Sequence, residues 1–151
     1  MKEQTPVPLP NPSDVRAEWL GDMIDREQKR YPVMKLSTQG LLLLIDIEKA
    51  FCAGAWLSVI VLSYAVVDAT LRDVTSGDYK SPASELYGGN RDLDWLRNLR
   101  NQIVHVGQPG NQSALWKLAP YNLPECHAAL EEESKRAVML AYRQVYAQDG
   151  M

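Results

Sequence analysis

The chain is poor in the residues that usually carry metals, disulfides and redox chemistry. Its two cysteines, Cys52 and Cys126, lie far apart with no CxxC spacing. That argues against a disulfide framework and for cytosolic thiols. Its two histidines, His105 and His127, are 22 positions apart, with no HExxH pair and no Cys/His cluster, so no metal site is expected. A Gly-rich phosphate loop is missing as well, because Gly88-Gly89 runs into Asn90-Arg91 and not into Gly-Lys-Ser, and no cofactor is expected. Long hydrophobic runs are absent. Leu41 to Ile45 is too short to span a bilayer, and Ala53 to Val67 is interrupted by Gly, Ser and Tyr. The start, MKEQTPVPLPNPSD, lacks a basic-plus-apolar leader. The expectation is a cytoplasmic protein with no membrane partner. Positive charge is scarce too: 16 Lys and Arg against 19 Asp and Glu give a net charge of −3 and a pI near 5.4. This excludes a broad basic surface, so any RNA contact should rest on a few arginines.

What is present is ordinary globular material. With 151 residues, 46% hydrophobic and 23% charged, the chain can bury a core as one domain. Residues 1–12 carry four prolines and read as an extended arm, leaving 13–151 as a single helical domain. Ser13 is a plausible cap for a first helix, in which Val15, Trp19, Met23 and Ile24 recur at helical spacing to about Lys29; Tyr31-Pro32 stops it. Ser37 or Thr38 can cap a second helix, with Leu41, Leu44, Ile45 and Glu48 on a mixed face, ending at Ala53-Gly54. A third runs from Ala55 to Val74 with Leu57, Val61, Tyr64, Asp68 and Leu71 in heptad-like register, widened by Ile60 and Val67. It is apolar nearly all round and should be central. Residues 75–90 form a long connection in which Ser81-Pro82 and Glu85 can nucleate one turn. A helix from about Asn90 or Asp92 should stop at Gly107-x-Pro109-Gly110, followed by a loop to Tyr121. Asn122-Leu123-Pro124-Glu125 has the form of a capping box for a last helix to about Ala147, with Leu130, Ala137, Leu140, Ala141 and Val145 inward. No repeat and no strand pattern emerges, and the fold class is all-α.

The stretch Trp95 to Gly107, WLRNLRNQIVHVG, carries the chemistry. At roughly 100° per residue, Leu96, Leu99, Ile103 and Val106 form a buried stripe. Asn101 and His105 share the opposite side with Arg97 on the same polar flank, and Arg100 sits at the edge. The run Arg100-Asn101-x-x-x-His105 resembles the Arg-Asn-x-x-x-His signature of the HEPN superfamily. The preceding Ala50 to Arg72, AFCAGAWLSVIVLSYAVVDATLR, resembles the helix pair upstream of that motif in stand-alone bacterial HEPN proteins. It has a helix, a small-residue Ala53-Gly54-Ala55 break, and a long apolar helix ending in an acid and Leu-Arg. Here the acid is Asp68, where the family more often has Glu. The resemblance covers Leu36 to Val106, about half the chain.

The resemblance implies a HEPN-like bundle of four to five helices, usually a dimer and often a metal-independent ribonuclease; the extra N-terminal helix lies outside the resemblance. It implies a toxin–antitoxin or phage-defence setting, with an antitoxin or other protein as partner. Some HEPN toxins carry a modifiable Tyr two residues after the His; that position is Gly107. Metal-free RNA cleavage needs a base for the ribose 2′-OH, an acid for the leaving 5′-oxygen and a cation for the phosphorane. His105 can fill either proton-transfer role and Arg100 the cationic one. Asn101 can orient His105 or hold the phosphate, and Arg97 is a solvated or substrate-facing cation. Each also has a plainer reading. His105 near a helix C-terminus can simply complement the dipole. Arg100 can be a structural ion-pair residue with Asp68, since an inward acid should not be unpaired. His127 reads as a surface or packing residue, and Trp19, Trp56, Trp95 and Trp116 as core residues rather than base-stacking platforms. The rival function is a catalytically silent HEPN module that binds a nucleotide or a partner protein.

Overall fold

Free N–H groups at helix starts take up side-chain oxygens supplied by the sequence just upstream, and this sets the boundaries of the bundle. The structure is a computed structural model and describes residues 6–31, 33–34, 36–74, 90–105 and 122–146. Among them are five helices and no strand: α1 (Pro12–Arg30), α2 (Thr38–Ala53), α3 (Trp56–Val74), α4 (Arg91–Val104) and α5 (Leu123–Val145). The chain is an all-helical bundle. Several expectations lie outside the described residues: the first five residues of the arm, Pro32, the 75–89 connection with its Ser81-Pro82 turn, Val106, the Gly107 stop, and the 108–121 loop with Trp116.

Ser37 Oγ accepts from Gly40 N at 3.2 Å at the start of α2. Asn90 Oδ1 accepts from Asp92 N and Leu93 N at the start of α4. At α5, Asn122 Oδ1 accepts from Glu125 N at 3.2 Å while its amide donates to Glu125 Oε2 at 2.6 Å. One boundary moves. α1 starts at Pro12, and Asn11, not Ser13, caps it by accepting from Ser13 N at 2.9 Å. Proline is well suited to the first helical position because its missing N–H needs no partner there.

The α2–α3 corner fixes the bundle's middle. Gly54 has φ +72°, and the N–H groups of Gly54 and Ala55 donate to Phe51 O and Ala50 O at 3.0 and 2.9 Å, the Schellman pattern. Arg16 of α1 reaches over this corner. Its Nη1 donates to Cys52 O at 3.1 Å, and its guanidinium stands over the Trp56 ring at 5.1 Å.

α3 is the hub, packed against α2, α4 and α5, while α5 also touches α1 and α4. Phe51, Ile47 and Leu44 of α2 meet Val59, Ile60, Val66 and Val67 of α3, with Leu96 of α4 and Ala137, Val138, Ala141 and Val145 of α5 closing the core. Trp19 stacks on Phe51 and Trp56 meets Phe51 edge-on. Two polar ties join distant segments: Arg143 Nε donates to the buried Glu27 carboxylate at 3.0 Å, and Tyr142 donates to Glu48 at 3.0 Å. Burial pushes the Tyr142 hydroxyl pKa far above its ordinary value, and the charge of Glu48 adds to the effect.

The rotation of α3 corrects the expected register. Its buried face is Trp56, Val59, Ile60, Ser63, Val66, Val67 and Thr70. Leu57 is 37% exposed, and Tyr64, Asp68 and Leu71 lie half-buried on the shoulder. The helix is apolar on nearly every side, so burying the compact valine face against α5 competes well with burying the leucine face. On α1 and α2, Val15, Leu41 and Ile45 of the expected stripes also lie exposed.

Candidate functional site

α4 has a sharply divided surface. Leu93, Leu96 and Leu99 are buried, and Ile103 packs against the core at the edge. Arg97, Asn101 and His105 follow at four-residue intervals, so the first two share one flank of the helix. Arg97 and Asn101 are half-buried and His105 is exposed. The helix ends before the expected Gly107 stop. Val104 is its last residue, and His105 is the C-cap with φ −111° and ψ 86°, its backbone N–H donating to Asn101 O at 2.9 Å. The β-branched pair Ile103-Val104 weakens that last turn.

Arg100 and Asp68, expected as a pair, are not brought together. Asp68 accepts from Arg72 Nε at 3.0 Å, four residues along the same helix, and its side chain is 25% exposed. The pairing is local, needs no second element, and leaves the acid partly in water. Arg97, the second candidate partner, sits 3.2 Å from Asp94 one turn earlier. Arg100 instead lies over the ring of Tyr64, one turn before Asp68 on α3, with its guanidinium carbon 4.1 Å from the ring centroid. Its Nε is buried and has no acceptor among the described residues. The rotation of α3 explains both facts: the shoulder that meets α4 presents an aromatic face where a carboxylate was expected.

Arg136 of α5 pins the N-terminal half of α4, pairing with Asp92 at 3.0 Å and lying over Trp95 at 4.0 Å from its centroid. His127 is exposed, with its ring tilted 6.5 Å from that of Trp56. Among the described residues, no group of three His, Cys, Asp or Glu side chains could hold a metal ion, and no helix is long and apolar enough to cross a membrane. Cys52 and Cys126 are not joined in a disulfide.

The site is therefore a short polar ledge. It offers an exposed imidazole at a helix end, an amide residue one turn back, and a cation held on an aromatic ring. These groups can accept and donate protons and hold an anion. Tyr64 is the member that sequence reasoning misses, since periodicity places it in the packing stripe of α3. The one signal is an aromatic among the aliphatic residues of that stripe, four residues before its acid.

Comparison with protein-family models, with curated proteins and with solved structures finds no match to this chain.

Proposed function

We propose that this protein is a HEPN-type, metal-independent endoribonuclease that works as a two-fold dimer, in a toxin–antitoxin or phage-defence setting. The supporting observation is that Arg100, Asn101 and His105 all lie along the C-terminal end of α4, with His105 exposed at the cap and Arg100 held on Tyr64. In this reading one His105 removes the ribose 2′-OH proton and the 2′-oxygen attacks the adjacent phosphorus. A second His105 protonates the leaving 5′-oxygen, which yields a 2′,3′-cyclic phosphate and a 5′-hydroxyl. Arg100 stabilises the phosphorane charge. Arg97 contributes a second cation, because its exposed pair with Asp94 is weak enough for a phosphate to displace. One chain supplies one histidine at the site, and a two-fold interface doubles every group.

The test is direct. Purified protein should cut single-stranded RNA in EDTA and leave 2′,3′-cyclic ends, and His105→Ala should abolish this with the helical signal unchanged. Equal cleavage by wild type and variant would identify a contaminant and sink the reading. Mixing inactive Arg100→Ala with inactive His105→Ala should restore part of the activity if each cleft draws on both chains. A strict monomer that still cleaves RNA would remove the dimer from the scheme. The net charge of −3 favours the rival, a silent module that binds a nucleotide or a protein partner; binding without cleavage under these conditions is its signature.

A further inference from the structure

We propose that Tyr64 is a positioning residue for the proposed RNA site: its ring fixes the Arg100 guanidinium so that the cation meets a phosphodiester in one orientation. The inference rests on the ribonuclease reading above. The guanidinium carbon stands 4.1 Å from the Tyr64 ring centroid, well inside cation–π range. The Arg100 Nε is buried without an acceptor among the described residues, so the inner edge of the fork is closed to solvent. A phosphate must then approach from the side away from Nε. No carboxylate among the described residues pairs with Arg100, because Asp68 is engaged by Arg72 and Asp94 by Arg97. A cation in that state has strong reason to take an anion, and the ring decides the angle at which it does so.

The stack needs an aromatic face and not a hydroxyl, which gives the experiment its contrast. The probe is a single-stranded oligoribonucleotide with 2′-O-methyl sugars, which cannot be cleaved because the attacking oxygen is blocked. Its binding to wild type, Tyr64→Phe and Tyr64→Leu is measured at one fixed salt concentration. In parallel the Arg100 Nε–H resonance is followed by NMR in the free proteins. Tyr64→Phe should bind within about twofold of wild type, and Tyr64→Leu about tenfold more weakly, a factor equivalent to about 1.4 kcal/mol. The Nε–H proton should be shifted upfield by the ring in wild type and the Phe variant and move downfield in the Leu variant. If Tyr64→Leu does not fold, Tyr64→Met takes its place.

Wild-type binding by both the Phe and Leu variants, or an unmoved Nε–H resonance, overturns the role of Tyr64 and leaves the ribonuclease reading standing. Equal losses in both variants would assign the effect to the hydroxyl and overturn the ring's role. No binding by wild type overturns both readings.

Discussion

Replacing Gly54 by alanine should destabilise the fold, and Gly21 by alanine should stabilise it, although the chemical change is the same. Gly54 has φ +72°, and a Cβ there would come within 2.9 Å of Arg16 Nη1 and 3.0 Å of its Cζ. The left-handed conformation costs a non-glycine residue about 1–2 kcal/mol. Moving Arg16 also weakens its bond to Cys52 O, about 1.5–3 kcal/mol for a charged donor. It weakens the stack on Trp56 as well, worth about 0.5–2 kcal/mol. The stiffer unfolded chain returns about 0.4–1 kcal/mol, so the net loss should be about 2–4 kcal/mol. Gly21 lies exposed within α1 with nothing within 4 Å of its would-be Cβ, and alanine there should gain about 0.5–1 kcal/mol. Urea unfolding followed by far-ultraviolet circular dichroism measures both. In an Arg16→Ala background, Gly54→Ala should cost only the backbone strain, about 1–2 kcal/mol. A Gly54→Ala protein within about 0.5 kcal/mol of wild type, or an unchanged loss without Arg16, would refute the account of this corner.

Asp68→Ala should unfold within about 0.5 kcal/mol of wild type, because an exposed pair one helical turn apart is worth no more; a larger loss in the same urea titration would return the acid to the interior. Arg143→Ala strands the buried Glu27 carboxylate and should cost about 1–3 kcal/mol, read as a lower Tm that Glu27→Gln in the same chain partly restores. Tyr142 holds its proton in the fold more tightly than in the unfolded chain, first through burial and then through Glu48. Its contribution is therefore complete below about pH 10, the unfolded tyrosine value, and declines as the pH rises above it. Tyr142→Phe should flatten that alkaline fall in urea midpoint, and an identical slope in wild type and variant would contradict the linkage.

Most helix ends were legible because they depend on residues three or four apart, although α1 is capped by Asn11 and α4 ends at Val104. Ser37, Gly54, Asn90 and Asn122 do in the structure what their local chemistry dictates. The inward stripe of α5 was legible for a related reason: its polar and apolar sides differ, and Leu130, Ala137, Leu140, Ala141 and Val145 are all buried. α3 was not. Its valines and leucines cover nearly the full circumference, and periodicity cannot rank one apolar face above another. The contacts that set the rotation are long-range. On α3 itself, Trp56 O accepts from Ser134 across 78 positions, while the Arg143–Glu27 and Tyr142–Glu48 ties, which span 116 and 94, fix α5 against α1 and α2. None leaves a local trace. The misplaced Asp68–Arg100 pair follows from that one undetermined angle, as does the overlooked Tyr64.

The same angle bears on whether Arg100 is structural. Among the described residues its Nε is buried without an acceptor, which costs about 1–3 kcal/mol, and stacking on Tyr64 returns about 0.5–2 kcal/mol. The two nearly cancel, so stability gives little reason for an arginine at this position. A methionine or leucine would cover the same ring without stranding a polar atom. An ion pair with Asp68 would have supplied a structural reason, and the structure gives Asp68 to Arg72 instead. What the arrangement retains is a permanent cation, five residues before an exposed imidazole and without an ion pair among the described residues, lying over an aromatic face. That combination is of little use to a core and of direct use to an anion, which weighs toward the ligand-binding reading of the Arg100-Asn101-x-x-x-His105 run.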